Sequence, residues 1–139
     1  EHIFISDGDK ASRKYIGILL QINDIKYFAP LSSFKVKHKK MKESVDFIKI
    51  HNYAVINLNN MIPVPEGEYS LVDVNGTKDQ QYRYLMQAES REINRQKNRI
   101  MKNADIVYKH KLRNGNSTPL AKRTNNFVEL EKRYRIYYR

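Results

Sequence analysis

The hydrophobic period of the chain changes once, near Thr77, and that change constrains the fold more than any other feature. Before it, apolar residues come in short alternating runs, the period of a half-buried strand. After it, they recur three and four residues apart, the period of a helix packed on one side. The first half predicts strands at residues 2–6, 15–22, 25–29, 45–50, 53–57 and 69–74. Asn23-Asp24 joins the second and third as a two-residue hairpin turn. The two prolines of LNNMIPVP forbid regular pairing there. So many short antiparallel strands within residues 1–76 predict a strongly twisted sheet or a small barrel.

The second half, residues 78–139, reads as helical. Tyr82, Leu85, Met86, Ile93, Ile100, Ala104, Val107 and Tyr108 form an apolar stripe, with Arg91, Arg95, Lys102, Lys109 and Arg113 on the opposite face. The pattern runs from about Asp79 to Arg113, long for a globular helix, so a break is expected near residues 89–94 or at Asn103. Asn114-Gly115 should stop it, NGNSTP should form a loop, and Asn126 should cap a last helix over 127–135. Strands first and helices afterwards make an α+β domain spanning residues 1–139, its helices on one side of an antiparallel sheet.

Charge narrows the function. The 139 residues carry 26 Lys and Arg against 15 Asp and Glu, a formal net charge of +11. Residues 1–31 are neutral and 44–77 slightly acidic, so the excess falls in 32–43 and beyond residue 78. Clustered cations suit a polyanion, because they release condensed counterions when they meet phosphates. No apolar run is long enough to span a bilayer, and no stretch resembles a secretory leader, so a cytoplasmic protein with no membrane partner is expected. With no cysteine, disulfides and thiolate metal sites are excluded. Ser6-Asp7-Gly8-Asp9 lacks the glutamate an EF-hand needs at its twelfth loop position, and His2, His51 and His110 have no zinc spacing. Neither a metal nor a cofactor is expected.

The densest cationic stretch, FAPLSSFKVKHKKMK at residues 28–42, reads as an apolar strand ending at Pro30 and a loop holding Ser32, Ser33, Lys35, Lys37, His38, Lys39, Lys40 and Lys42. Lysines supply fixed charge, hydroxyls supply donors, and a histidine titrates near neutrality and can move protons. Cutting RNA without a metal needs these three services: charge stabilisation at phosphorus, deprotonation of the 2′-OH, and protonation of the departing 5′ oxygen. The plain alternative is a solvated loop with a serine capping a turn. On the helices, Arg91, Arg95, Lys102, Lys109 and Arg113 are candidate phosphate contacts, joined by Lys14, Lys37, Lys39 and Lys40 nearer the loop. The ten tyrosines, Tyr134, Tyr137 and Tyr138 among them, are able to stack unpaired bases, although core packing accounts for most.

KYIGILLQINDIKYFAPLSSFKVKH, followed by VINLNNMIPVP, resembles the ToxN/AbiQ family of type III toxin–antitoxin systems, CptN-like members in particular. The motifs cover residues 13–74, and the helical half agrees by pattern. The resemblance implies an endoribonuclease toxin, associated with phage abortive infection and held inactive by a repeated, pseudoknot-type antitoxin RNA in a closed protein–RNA ring, with cellular RNA as substrate. It implies a fold similar to the Kid/MazF toxins. It also implies metal-independent transesterification that leaves a 2′,3′-cyclic phosphate and a 5′-OH. Ser33 matches the family's essential serine, Ser32 the hydroxyl before it, and Lys35 the active-site lysine. Arg13 matches a second basic position, with Lys14 beside it; neighbouring strand residues face opposite ways, so one of the two should look into the site. His38 is the candidate for proton transfer. Two rivals share the charge pattern: a non-catalytic, ribosome-associated RNA-binding protein, and a DNA-binding regulator reading phosphates with its basic helix.

Overall fold

The computed structural model describes residues 5–6, 16–71, 73–76 and 78–138. Its strands are β1 (Ile5–Ser6), β2 (Ile16–Ile22), β3 (Ile25–Ser33), β4 (Phe47–Ile50), β5 (Ala54–Asn57), β6 (Ile62–Pro63) and β7 (Ser70–Leu71). Its helices are α1 (Val36–Lys40), α2 (Gln80–Arg95), α3 (Lys97–Asn114), α4 (Pro119–Arg123) and α5 (Phe127–Tyr137). Every strand pairing among the described residues is antiparallel, in the order β4-β5-β3-β2-β1-β7, with β6 also on β3; Ile62 and Pro63 thus make a short pairing in the stretch whose prolines were expected to forbid one. The path among the described residues has two ends, so this is an open sheet in an α+β fold. Residues 2–4, including His2, and Asp7, Gly8, Asp9, Arg13 and Lys14 lie outside the described residues.

The β2–β3 hairpin forms as its turn residues dictate. Asn23 and Asp24 have φ of 51° and 68°, the paired positive values of a type I′ turn, and Ile22 faces Ile25 across it. The strand after the turn is longer than expected, passing through Pro30 to Ser33. Proline is tolerated because of where it falls. β6 pairs with Tyr27 and Phe28, β5 pairs with Leu31, Ser32 and Ser33, and Pro30 sits in the gap between them with only β2 alongside. Its partner there is Gly17, where a Cβ would lie 2.2 Å from the Ala29 carbonyl oxygen and 2.7 Å from the Phe28 ring. Only glycine fits that approach.

β4 is an edge strand, and its outward backbone groups are all engaged. Phe47 and Ser44 exchange two backbone hydrogen bonds of 3.2 and 3.0 Å. The Lys49 N–H donates to Glu43 Oε2 (2.8 Å), and its carbonyl accepts from Gln96 Nε2 (3.4 Å). Glu43 also takes a bidentate pair from Arg99 on α3, at 3.2 and 2.8 Å. An edge closed this way offers no ladder for another chain to extend.

The helical half breaks at Gln96, just beyond the expected window, while Asn103 lies unbroken inside α3. Gln96 leaves helical geometry at φ −101°, ψ 8°, and its side chain reaches Glu92 Oε2 at 2.6 Å as well as the Lys49 carbonyl. Asp79 caps α2 by accepting from the Tyr82 N–H, Gly115 ends α3 at φ 58°, and Asn126 caps α5 by accepting from the Glu129 N–H. α4 was not expected; Thr118 caps it and Pro119 opens it. The core joins Ile93, Ile100, Ala104 and Val107 of the helices to Ile18, Leu20, Ile48, Ile50 and Ile56 of the sheet. Tyr82 and Leu85, on the same stripe, remain exposed. No described helix is long and apolar enough to cross a membrane.

Candidate active site

The basic segment is part strand and part helix. β3 carries Ser32 and Ser33 at its exposed end, Phe34 turns the chain, and Lys35 caps α1, which holds Lys37, His38, Lys39 and Lys40. Ser33 pairs with Ala54, and Ser32 with Val55, which faces Lys49 on the far side. Alternation therefore sends the two hydroxyls to opposite faces of the sheet. Ser32 shares its face with Phe47 and Lys49, the side on which α1 packs; Ser33 shares its face with Ala54 and Ile50, at the rim of the main core. Lys35 is two residues beyond Ser33 and exposed, so their backbones lie within about 7 Å.

His38 is only 7% exposed, with its ring 5.6 Å from that of Phe34 and 5.8 Å from that of Phe47. Its Nδ1 accepts from the Lys35 backbone N–H at 2.8 Å, and the His38 backbone N–H donates to the Lys35 carbonyl at 2.9 Å. This reciprocal pair fixes the backbone that presents Lys35. Burial, then the charges of Lys37, Lys35 and Lys49, holds the imidazole pKa below its usual value, so the ring is neutral at neutral pH with its proton on Nε2. Lys49 Nζ donates to the Lys39 carbonyl at 3.5 Å, a cation at the C-terminal end of α1.

Beside this loop, along the edge of β4, runs a cleft of about 830 Å³. Lys39, Lys40 and Lys42 form one wall, Lys49 and His51 the floor, and Arg95 and Arg99 the other wall. The helix-wall arginines are engaged, Arg95 by Glu92 and Arg99 by Glu43, which leaves the lysine wall to meet an anion. The cleft excludes Ser33 and Lys35. Two strand spacings, about 10 Å, separate its floor from Ser33, since β5 lies between β4 and β3.

Of the candidate RNA contacts, Lys39, Lys40 and Arg95 thus come together at the cleft. Lys37 is exposed on α1, and Arg91 on α2. Lys102, Lys109 and Arg113 form an exposed stripe along α3, where Lys109 pairs with Asp105 at 2.9 Å. The sequence reading missed Lys49, His51 and Arg99. Lys49 interrupts an apolar strand, and Arg99 continues the cationic spacing of Arg95 by one helical turn, a signal that was present. Among the described residues no cluster of His, Cys, Asp and Glu is arranged to hold a metal.

The family model of the toxin ToxN, type III toxin–antitoxin system, matches residues 2–135. The chain belongs to that family. This ToxN-family chain is 34% identical over 133 residues to the endoribonuclease ToxN of Pectobacterium atrosepticum, covering 90% of itself and 75% of that relative. It superposes with a TM-score of 0.75 and 31% identity on a solved structure described as a processed non-coding RNA regulating a bacterial antiviral system, covering 93% of this chain and 83% of that one. AbiQ, a lactococcal anti-phage endoribonuclease of a type III system, shares the fold at a TM-score of 0.77 and 22% identity, over 99% of this chain and 98% of its own.

Proposed function

We propose that this endoribonuclease toxin cleaves RNA at the tip of β3 by turning the ribose against its own linkage. The 2′-oxygen bonds to phosphorus while the bond from phosphorus to the 5′-oxygen breaks. The 2′-OH loses its proton, and the leaving oxygen gains one. Ser33 donates to a non-bridging oxygen and Lys35 neutralises the charge gathering on the phosphorane. No enzyme nucleophile is needed, because the substrate supplies it. The observation that carries this reading is the exposed Ser33–Lys35 pair on a strand tip, with the Lys35 backbone clamped by His38.

In this reading His38 positions Lys35 rather than moving protons, because its Nδ1 is occupied and its ring is buried. Ser32, on the other face, lies toward Lys49 and the cleft and serves binding. Arg13 or Lys14 supplies the second cation. The cleft lysines and the α3 stripe hold the flanks of the substrate and the inhibitory antitoxin RNA, in the cytoplasm. The relatives support the partner: one solved neighbour is a system regulated by a non-coding RNA.

The test is incubation of purified protein with RNA in EDTA. Fragments ending in a 2′,3′-cyclic phosphate and beginning with a 5′-OH are expected; RNA left intact at high protein concentration overturns the reaction. Ser33→Ala and Lys35→Ala are each expected to slow cleavage by about 100-fold or more and to abolish growth arrest, with melting temperature and RNA binding retained. Toxicity persisting in both variants would move the site elsewhere.

A further inference from the structure

We infer that the β4–β5 turn, through the His51 ring stacked on Tyr53, is a base-stacking step that fixes one nucleotide beside the scissile linkage and so sets cleavage preference. The inference rests on the catalytic reading of Ser33 and Lys35 and adds a contact to it.

Topology supplies the first observation. β3 ends at Ser33, β5 begins at Ala54 and β4 ends at Ile50, and these three are successive partners across the sheet. The turn at residues 51–53 therefore stands at the same end of the sheet as Ser33. An RNA strand lying in the lysine-walled cleft and running along this end of the sheet meets the turn on its way to the tip of β3.

The turn's conformation is the second. The Tyr53 N–H donates to the Ile50 carbonyl at 3.0 Å, closing four residues with His51 at the first central position and φ 52°. Glycine reaches that region without steric cost and is the usual occupant where only the first central residue has positive φ. Among the described residues, the other non-glycine positive φ values belong to Asn23 and Asp24, which the hairpin requires. A histidine at an exposed turn position that favours glycine points to a use for the ring.

How the ring is held is the third. His51 Nδ1 donates to Asn52 Oδ1 at 2.8 Å, and the imidazole lies over Tyr53 with centroids 5.0 Å apart and planes 24° from parallel. Tyr53 is half-buried and packs against the core, so the lower ring is anchored, while His51 is exposed in the cleft. Cations that track a backbone beside a flat ring that receives a base are the elements of single-strand recognition. The ligand is thus an unpaired nucleotide of RNA.

The experiment digests a pool of short single-stranded RNAs of randomised sequence and sequences the new ends, with kcat/KM measured in parallel. His51→Gly and His51→Asn both accept positive φ and lack the ring, so folding is preserved. Each is expected to lower kcat/KM roughly 5- to 100-fold and to flatten base preference at one position next to the cut. Wild-type kcat/KM with wild-type preference overturns the inference, and so does a fall in kcat/KM with preference unchanged at every position. Ser33→Ala, run alongside, reports separately on the catalytic reading. If Ser33→Ala cleaves normally, that reading falls, while the His51 variants still decide the stacking step.

Discussion

Glu89 sits half-buried on α2 without a hydrogen bond or ion pair among the described residues, and burial pushes its carboxyl up to about 7. Below its ordinary value near 4.5 the carboxyl is protonated whether the chain is folded or not. Between there and about 7 the unfolded chain releases this proton and the folded one keeps it, so stability falls as pH rises through that window. Glu89→Gln is therefore expected to stabilise the protein by on the order of 2 kcal/mol at pH 8 and to change nothing at pH 4. Urea melts at the two pH values check this; an equal gain at both would mean that ionisation is not the cause. His38 shows why such residues are hard to read from sequence. SSFKVKH advertised a hydroxyl, a lysine and a histidine together, and the first two are exposed at the strand tip as their types suggest. Whether the imidazole meets solvent or the Lys35 amide depends on Phe47, nine residues on and on another element, and local spacing cannot report that.

At the scale of elements, the closed edge of β4 depends on Glu43. Its carboxylate accepts the Lys49 amide and both Arg99 contacts, and the Arg99 hydrogen bonds foremost hold its pKa below the usual range. Its contribution is thus full above the ordinary carboxylate pKa and fades as pH falls below it. Glu43→Ala should cost about 1 kcal/mol in chemical denaturation, since the ion pair is partly exposed, and adding Arg99→Ala should cost less than the sum of the two. Full additivity would show that the two side chains do not cooperate. Elements governed by their own residues were legible: the Asn23-Asp24 hairpin, the Asn126 cap, the helical start near Asp79 and the Gly115 stop. Elements that depend on neighbours were not. β3 passes Pro30 because β5 and β6 leave a gap there, and the helix breaks at Gln96 because its side chain is drawn to the edge of β4. α1 and α4 are five residues each, too short for a periodic signal.

Across the whole molecule, one buried carboxylate joins the two halves that the sequence divides at Thr77. Glu131 of α5 accepts from Tyr27 of β3 at 2.5 Å and from Tyr108 of α3 at 2.7 Å, with Arg135 at 3.5 Å. The two phenol rings meet edge-on at 5.9 Å, and Phe127 packs against both. Burial, reinforced by the Glu131 hydrogen bond and charge, raises the Tyr27 hydroxyl far above the phenol range and pushes Tyr108 up to about 12. Both stay protonated as donors. Glu131→Ala would strand two buried hydroxyls, and a loss of about 3 kcal/mol is expected. Combining it with Tyr27→Phe and Tyr108→Phe should recover part of that loss, as measured by denaturant midpoint; no recovery would put the cost in packing instead.

β3 is shared unevenly: residues 25–30 are laced to β2, and residues 31–33 to β5. Loosening the ribbon made by β4 and β5 would unmoor the proposed cutting tip while the longer hairpin stayed zipped. Warming such a molecule would disarm the poison before the body that carries it came apart.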